Sequence, residues 1–456
     1  MRIRAVPGGR LQGSIRVAGD KSIAHRWLIL ASTASSRSRL TGLPSGLDVL
    51  STASSLANLT VKARPALDLW ARNVSSWVEG GGSTWNDTLA GVSYGTLEVE
   101  GEGRDGLVEP SNRLDCGNSG TSMRLLAGLL AAAPFTTELT GDTSLRSRPM
   151  ERVASPLRSM GATVRTTGGH APISVTGERL VGIEHRTEVP SAQVKGAVLL
   201  AGVCASGETV VLESASTRDH TERAFEALGA PVRRDGRRVG ISRFQHEGFG
   251  AAVPGDPSSA AFVVAAAALT GSEVTIEGVG LNPTRLHFLE VLSRMGVTTE
   301  TSVVGEELGE PVGSIHVLSR DALHATTVDA DELPLVIDEV PVLAMLGTHA
   351  PTETRFLGAS ELRVKESNRL MALVEGIRTL GGQAAAEADD LVIAGGGLRG
   401  GAASSGGDHR LAMAFAVGAL AGERPSEVEG MEAAAVSFPD FVGTLRSLGA
   451  SIEVIG

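Results

Sequence analysis

A short phrase that recurs at intervals near 68 residues constrains the fold of this chain more than any other sequence feature. In each copy an apolar helical stretch is followed by Leu or Met, then by Gly, then by a run that favours a strand. The five clear copies are centred on Gly161, Gly229, Gly296, Gly381 and Gly449, at separations of 68, 67, 85 and 68 residues. A glycine after a helix adopts the left-handed conformation that closes the last turn. The phrase therefore predicts units that each end in helix, glycine and strand.

Two further patterns extend the repeat. A degenerate sixth copy lies at residues 56–61, and the phrase Gly-Asp-x-Ser recurs at residues 19–22, 141–144 and 255–258. Gly, Asp and Ser ahead of an apolar run are helix N-terminal signals. Alternating helices and strands built by duplication favour an α/β fold over an all-α or all-β fold.

Residues 64–106 interrupt the repeat. They contain three of the four Trp residues (Trp70, Trp77 and Trp85) and the only Tyr (Tyr94). We interpret this segment as an insertion that forms a lid, a small extra hairpin or a loop without function. A Trp-bearing surface loop that contacts a partner is the alternative.

Length and composition exclude several classes of protein. At ~100 to 200 residues per domain, 456 residues predict two or three domains. Cys116 and Cys204 are the only cysteines, which excludes a disulfide framework and a four-thiolate metal site and is typical of a reducing cytoplasm. The ten His residues lack the spacing of metal ligands. We therefore expect a cytoplasmic protein without a metal.

Membranes and nucleic acids are poor candidates for partners. The longest apolar run, residues 260–269, is half of the ~20 residues that cross a bilayer, and residues 1–10 lack the apolar core of a signal peptide. The formal net charge of −11 disfavours long-range attraction to a polyanion. We expect neither a membrane nor a nucleic acid as a partner.

Although the chain is acidic overall, Lys and Arg recur near the starts of predicted apolar helices. Examples are Lys21, Arg26, Arg124, Arg148, Lys195 and Arg410, and a further group is Arg363, Lys365 and Arg369. A helix N-terminus offers unpaired N–H groups and a partial positive charge, so a neighbouring cation makes it a site for phosphate or carboxylate. Each cation alone is explained as well by a solvated charge or an ion pair. As a set, they predict binding of small anions.

Nucleotide-binding signatures are not present in the sequence. The chain has neither a Gly-rich loop that ends in Gly-Lys-Ser/Thr nor a strand-borne G-x-G-x-x-G. Nucleoside triphosphates and dinucleotides are therefore disfavoured as ligands.

Candidate acids and bases lie in two places, one in an apolar run and one in a basic run. Asp338 and Glu339 interrupt the run LPLVIDEVPVLAML, and Glu366 lies in RVKESNR. A buried acid needs a cationic partner or a held proton. The alternatives are a helix cap for Asp338 and an ion pair with Arg363 or Arg369 for Glu366.

As a set, ten motifs resemble those of 5-enolpyruvylshikimate-3-phosphate synthases, the enolpyruvyl transferases of the shikimate pathway. They occur in the family's order, cover nearly the whole chain, and read GDKSIAHR, LDCGNSGTSMR, GDTSLRSRPM, SAQVKGAVLLAG, STRDHTER, GDPSSAAF, IDEVPVLA, ELRVKESNRL, GDHRLAMA and SFPDF. The resemblance implies an α/β (α+β) fold of six βαβαββ units, three in each of two domains, with the active site in the cleft between the domains. By similarity, residues 1–20 and 255–456 form the first domain and residues 21–254 the second.

The resemblance also implies the reaction. The enolpyruvyl group of phosphoenolpyruvate is transferred to the 5-hydroxyl of shikimate 3-phosphate, and phosphate is released, in aromatic amino acid biosynthesis. Members of the family need no organic cofactor and no tightly bound metal, and we expect this protein to be a monomer. Both substrates are small anions.

Residue roles carry over from the family motif by motif. The residues expected to hold shikimate 3-phosphate are Lys21, Ser22, Arg26, Ser191, Ala192, Gln193, Arg218, Asp338 and Lys365. Those expected to hold phosphoenolpyruvate are Lys21, Asn118, Gly120, Arg124, Arg148, Gln193, Arg369, His409 and Arg410. Asp338 is expected to accept the proton of the 5-hydroxyl, and Glu366 to move a proton at C3 of phosphoenolpyruvate. Lys365 and Lys21 are expected to assist them.

The sequence departs from the family pattern in places. His25 and Asn368 replace a more usual Asn and Asp, and Val436 occupies a position that is often Lys. Gly120 is Ala in many members that tolerate the inhibitor glyphosate, so we expect this protein to be inhibited. Two alternative functions are an enolpyruvyl transferase acting on UDP-N-acetylglucosamine, which shares the fold, and a non-catalytic sugar-phosphate binding protein.

Overall fold

The computed structural model describes residues 1–79, 96–320 and 322–455. Helices and strands alternate along the chain. The strands are β1 (Arg2–Ala5), β2 (Gln12–Ile15), β3 (Arg37–Thr41), β4 (Thr96–Glu100), β5 (Leu114–Asp115), β6 (Thr136–Thr140), β7 (Thr163–Thr167), β8 (His170–Thr176), β9 (Glu184–Arg186), β10 (Thr209–Leu212), β11 (Val232–Asp235), β12 (Arg238–Ile241), β13 (Gly250–Ala252), β14 (Glu273–Gly280), β15 (Val297–Glu307), β16 (Glu310–Arg320), β17 (Thr327–Val328), β18 (Thr354–Phe356), β19 (Gln383–Glu387), β20 (Asp390–Ala394), β21 (Ala402–Ser404), β22 (Ser426–Glu429) and β23 (Ile452–Val454).

The α-helices are α1 (Lys21–Thr33), α2 (Leu47–Leu59), α3 (Arg64–Glu79), α4 (Gly120–Leu130), α5 (Thr143–Ser147), α6 (Glu151–Ser159), α7 (Ala192–Gly202), α8 (His220–Ala227), α9 (Pro257–Thr270), α10 (His287–Arg294), α11 (Leu333–Val336), α12 (Val340–Thr348), α13 (Arg369–Thr379), α14 (His409–Ala419) and α15 (Phe441–Ser447). Short 3-10 helices lie at Arg104–Gly106, Pro283–Arg285, Ala359–Val364 and Met431–Val436.

The strands form small mixed sheets with one recurring plan. The strand orders are β21-β22-β1-β23, β11-β12-β10-β9, β13-β3-β4, β15-β16-β14-β2, β17-β18-β20-β19 and β5-β6-β8-β7. In each sheet one pair of neighbours is parallel, as in β5 with β6, and the remaining pairs are antiparallel, as in β6 with β8. The predicted α/β fold of repeated units is confirmed.

The glycines of the repeat have the predicted conformation. Their φ angles are 112°, 88°, 84°, 80° and 104°, in chain order from Gly161 to Gly449. The strands β7, β11, β15, β19 and β23 follow them. The degenerate copy at residues 56–61 is the exception, because α2 is followed there by α3 and not by a strand.

The interpretation of residues 64–106 as a surface lid, hairpin or loop is wrong for the part that the structure describes. α3 packs against α2 with Trp70 only 5% exposed, and β4 pairs along the whole length of β3. An amphipathic helix that buries Leu67, Trp70 and Val74 belongs to the core. Trp85, Tyr94 and the side chain of Trp77 lie outside the described residues.

Two large apolar clusters divide the chain. One is formed by residues between 3 and 18 and between 260 and 452, and the other by residues between 23 and 253. The chain passes twice between them, and the two crossing segments are hydrogen-bonded to each other. The amide of Asp20 donates to the Pro254 carbonyl at 2.7 Å, and the amide of Asp256 donates to the Ala18 carbonyl at 2.8 Å.

The crossing segments lead directly into two helices. Asp20 caps α1 and Asp256 caps α9, each through a side-chain oxygen that accepts a backbone N–H of the first turn. Within the described ranges, no helix has both the length and the apolar character needed to span a bilayer.

Candidate active site

A cavity of about 230 Å³ is lined by residues from both chain segments that carry the apolar clusters. Of the residues predicted from the sequence, the lining includes Lys21, Ser22, Gly120, Arg124, Arg148, Ser191, Ala192, Gln193, Arg218, Asp338, Lys365, Glu366 and Arg410. Residues nearly 400 positions apart in sequence therefore meet at one hollow. Four predicted residues lie behind the lining: Arg26, Asn118, Arg369 and His409.

Helix starts bring the cavity residues together. Lys21, Gly120 and Ala192 are the first residues of α1, α4 and α7. The side chains of the preceding residues, Asp20, Ser119 and Ser191, accept N–H bonds from within the first turn, at 2.9, 3.1 and 3.3 Å. These caps fix where each helix begins, so that its partial positive charge lies at the cavity wall. This arrangement suits an anionic ligand.

Asp338 is surrounded by cations. Its Oδ2 lies 2.6 Å from Nη2 of Arg218, and Lys365, Arg369 and Arg410 each approach it to 3.7 or 3.8 Å. Burial alone would raise the pKa of Asp338, but the charges of Arg410, Arg218, Lys365 and Arg369 outweigh it and hold this pKa well below its usual range. Asp338 precedes the N-cap of α12 and caps no helix, so the helix-cap alternative is wrong.

Glu366 also lies among cations. Its Oε2 is 2.5 Å from Nη2 of Arg369, and its Oε1 is 3.7 Å from Nη1 of Arg148. Burial raises its pKa, but the charges of Arg369, Arg148 and Lys21 outweigh burial, and the net pKa is well below that of an ordinary glutamic acid. The predicted ion pair with Arg369 is present, whereas Arg363 instead pairs with Asp389.

Three arginines crowd one side of the cavity: Arg124 on α4, Arg148 at the end of α5 and Arg152 on α6. Burial, and then the charges of Arg148 and Arg152, lower the pKa of Arg124 to about 10. Arg124 donates to the Gln193 amide oxygen, and Arg148 donates to Asn118. Cations that repel one another in this way are stabilised by an anion placed between them.

The residues behind the lining hold it in place. Arg26, 4% exposed, donates to the carbonyls of Ser22 and Ala192 at 2.7 and 3.4 Å. Arg369 is 1% exposed and donates from Nε to Asp408 at 2.7 Å. Burial and the nearby Lys21 lower the pKa of His409 to about 3, so its imidazole is neutral.

Lys195, one of the cations singled out in the sequence, does not line the cavity. It is 1% exposed and pairs with the buried carboxylates of Glu222 and Glu213 at 2.6 and 3.0 Å. For this residue the ion-pair explanation is the correct one.

One departure from the family pattern, Asn368, has a simple structural explanation, and the structure places the other two. Asn368 accepts the Met371 amide at 3.3 Å and caps α13, a role that Asn fulfils as well as Asp. His25 is buried, and its Nδ1 lies 2.7 Å from the Thr52 hydroxyl. Val436 ends a 3-10 turn.

Sequence reasoning missed several residues of the cavity wall. They are Asp48, which pairs with Lys21 at 2.9 Å, and Thr121, Arg152, Thr217, Thr284, Arg285 and Glu361. Arg152 and Glu361 form a two-pronged ion pair, at 3.1 and 3.2 Å, between the two segments. The signal for Thr217 and Glu361 was their place inside motifs already recognised, whereas Asp48 and Arg285 become visible only in three dimensions.

Within the ranges that the structure describes, His, Cys, Asp and Glu form no group of three or more that could hold a metal ion.

A model of one protein family matches most of the chain. It is that of EPSP synthase (3-phosphoshikimate 1-carboxyvinyltransferase), and it matches residues 6–74 and 91–445. The chain belongs to the EPSP synthase family. The gap in the match, residues 75–90, is much shorter than the insertion predicted from the sequence and overlaps only the end of α3.

EPSP synthase relatives cover the chain from end to end. It is 45% identical to the 3-phosphoshikimate 1-carboxyvinyltransferase of Halorhodospira halophila, over 99% of this chain and 97% of that one. It is 44% identical to the enzyme of the same name from Methylococcus capsulatus, over 99% and 98%. A solved EPSP synthase from Acinetobacter baumannii is 37% identical and superposes over 100% of both chains with a TM-score of 0.83. The resemblance stated from the motifs is confirmed.

Proposed function

We propose that this protein is a 3-phosphoshikimate 1-carboxyvinyltransferase. It transfers the enolpyruvyl group of phosphoenolpyruvate to the 5-hydroxyl of shikimate 3-phosphate and releases phosphate. The observation that carries the proposal is the convergence of Lys21, Arg148, Arg218 and Arg410 on one cavity that also holds Asp338 and Glu366. Binding two anions requires several cations, and transferring a proton requires an acid or a base at the same site.

Shikimate 3-phosphate is assigned to the side of the cavity formed by α1 and α7. Ser22, Ser191 and Gln193 offer hydrogen-bonding groups there, and Ala192 offers a backbone N–H at a helix start. Arg218 supplies the positive charge and already lies 3.4 Å from the Ser22 hydroxyl. Arg26 supports both walls from behind.

Phosphoenolpyruvate is assigned to the side formed by the start of α4, by Arg124 and Arg148, and by Arg410 of α14. Arg410 is anchored by a 2.7 Å bond to the backbone carbonyl of Asp338. Asn118, Arg369 and His409 hold these groups from behind. Lys21 and Gln193 lie between the two sides and contact both ligands.

The chemistry is an addition followed by an elimination. Asp338 accepts the proton of the 5-hydroxyl as that oxygen bonds to C2 of phosphoenolpyruvate, and Glu366 delivers a proton to C3. In the second step Glu366, left ionised by the first step, takes a proton from C3, the C2–O bond breaks with its electron pair leaving on phosphate, and the C2–C3 double bond re-forms. A positioned acid or base contributes ~10²- to 10⁴-fold to the rate of such a step. Lys365 and Lys21 stabilise the charges that develop.

We also propose two domains, formed by residues 1–20 with 255–456 and by residues 21–254, because each apolar cluster is confined to one of these sets. A monomer is proposed because one chain supplies all the side chains assigned above. A cytoplasmic location is proposed because Cys116 and Cys204 are both free thiols.

The test is phosphate release from phosphoenolpyruvate, followed with one acceptor at a time. Shikimate 3-phosphate should support release and UDP-N-acetylglucosamine should not. Release with UDP-N-acetylglucosamine alone would establish the sister activity, and binding without release would establish a non-catalytic protein. Asp338→Asn should abolish most of the activity. Asp389→Asn, the same substitution at an exposed aspartate that pairs with Arg363, should not.

A further inference from the structure

Arg218 is followed by a short segment that is fixed from the opposite side of the cavity. Asp219 and His220 begin α8 and are 9% and 1% exposed. Arg218 belongs to the segment of residues 21–254, which also supplies Arg223 and Arg234 as partners of Asp219. Two further groups that bind Asp219 or His220 come from the other segment. They are Asn282, which follows β14, and Glu310, the first residue of β16.

A continuous set of hydrogen bonds joins these residues. Nδ2 of Asn282 donates to Oδ1 of Asp219 at 2.7 Å and to Oε2 of Glu310 at 2.9 Å. Nδ1 of His220 lies 2.7 Å from Oε1 of Glu310. Asn282 is 1% exposed and Glu310 is 1% exposed, so water does not compete for these bonds.

The direction of each bond follows from the chemistry of its partners. Nη1 of Arg285 lies 3.2 Å from Nε2 of His220, and a guanidinium only donates. In this contact Nε2 can only accept, which leaves Nδ1 to donate to Glu310. Burial raises the pKa of Glu310, but His220 and Asn282 lower it below its ordinary value, so Glu310 is an ionised acceptor.

The hairpin that carries Glu310 holds the same helix at a second point. Arg223, on the first turn of α8, donates to the Gly309 carbonyl at 3.0 Å and pairs with Asp219 at 2.9 Å. The start of α8 is thus fixed on two sides by groups from the tip of the β15–β16 hairpin. Because Arg218 is the residue before Asp219, a shift of this segment moves Arg218 directly.

We propose that Asn282 and Glu310 are positioning residues for Arg218. They hold the start of α8 so that Arg218 reaches Asp338 at 2.6 Å and Ser22 at 3.4 Å. Neither residue lines the cavity. The chain segment that carries Asp338 therefore also holds Arg218, the cation that faces Asp338, in place. This inference rests on the proposed function, in which Arg218 binds shikimate 3-phosphate.

The experiment is a double-mutant cycle on the dissociation constant of shikimate 3-phosphate. Glu310→Gln removes the charge that accepts from His220, and we expect it to weaken binding about tenfold. In an Arg218→Ala background the same substitution should weaken binding by less than twofold, because the residue that it positions is gone. KM for shikimate 3-phosphate should follow the dissociation constant, whereas KM for phosphoenolpyruvate should change by less than twofold.

A control separates positioning from loss of stability. Ile315→Val lies on the same strand at a buried position and should lower the melting temperature without changing the dissociation constant. Asn282→Ser is the second, milder variant, and its cycle with Arg218→Ala applies if Glu310→Gln does not fold.

The outcomes are distinct. The proposal is overturned if Glu310→Gln weakens binding of shikimate 3-phosphate equally with and without Arg218. It is also overturned if Glu310→Gln and Asn282→Ser both retain full affinity. A native protein that neither binds shikimate 3-phosphate nor releases phosphate with it overturns the proposed function instead.

Discussion

Gly120→Ala tests the geometry of the phosphoenolpyruvate side of the cavity. Gly120 is the first residue of α4 and lines the cavity. A Cβ atom added there would lie 2.9 Å from Nη1 of Arg124 and 3.3 Å from Nη1 of Arg148, and ordinary contact begins at 3.4 Å. Arg124 must therefore retreat by about 0.5 Å, whereas Arg148 hardly moves. Both atoms are the ends of flexible side chains, so we expect folding to be little affected.

The magnitude follows from the contact that is weakened. A hydrogen bond to a charged group contributes about 1.5 to 3 kcal/mol, and a half-ångström displacement removes a part of it, about 1 kcal/mol. This corresponds to about a fivefold rise in KM for phosphoenolpyruvate, since about 1.4 kcal/mol is tenfold. KM for shikimate 3-phosphate should change by less than twofold. Glyphosate is slightly longer, and the methyl group crowds it directly, so its inhibition constant should rise at least tenfold more than KM.

The assay is phosphate release at varied phosphoenolpyruvate and glyphosate concentrations. Gly305→Ala is the matched control, because a Cβ atom there has nothing within 4 Å. It should leave both constants unchanged. Equal glyphosate sensitivity of the native protein and Gly120→Ala would refute the steric argument.

Three further predictions concern charge. Glu366→Gln should lower kcat by ~10²- to 10⁴-fold and alter the pH profile of turnover, and retained activity with an unchanged profile would exclude Glu366 from the mechanism. Asp219→Asn should destabilise the fold by about 2 kcal/mol at pH 7, since hydrogen bonds and Arg223 outweigh burial and lower the pKa of Asp219 to about 2. That contribution is complete above the ordinary value of 3.8 and is lost as pH falls through about 2, so urea titrations of the two proteins should converge in acid. Reversing the charge of Arg152 or of Glu361 should lower kcat/KM about fivefold, and reversing both should restore kcat/KM to within twofold of the native value. If the double reversal restores nothing, the ion pair has no role in the site.

The sequence predicted the parts of the fold that depend on local chemistry. A glycine after a helix and an Asp before one act within a single turn, so Gly161 to Gly449 and Asp20, Asp142 and Asp256 could be assigned without knowledge of the fold. The insertion was misjudged because Trp70 carries no local sign of burial. Trp70 is buried because α3 packs against α2. β4 is held by pairing with β3, which is more than fifty residues away in sequence.

The candidate site divides in the same way. Lys21, Arg148 and Arg410 were found because each stands beside a helix-start signal, and the family motifs assigned their roles. Arg285 ends a 3-10 turn that Asn282 caps, and nothing in that local signal indicates its partners. Its importance comes from Asp20 and Asp256, which the two crossing segments bring to its guanidinium.

The balance of charge in the cavity accounts for a difficulty in the proposed mechanism. Glu366 must carry a proton to act as an acid, but the surrounding cations lower its pKa. The lining contains eight Lys and Arg side chains and five carboxylates, in a chain whose net charge is −11. Three of those carboxylates are paired with Lys21, Arg152 and Arg285, which leaves five cations facing Asp338 and Glu366.

Bound substrates would reverse this excess of positive charge. A phosphate monoester that also bears a carboxylate carries about three negative charges near neutral pH, and two such molecules bring about six. A negative charge placed near a carboxyl group favours its protonated form. Bound substrates therefore oppose the cations that lower the pKa of Glu366. In the proposed mechanism, the cations that bind the substrates keep Glu366 ionised until the substrates neutralise them, and proton delivery is confined to the complex in which it is needed.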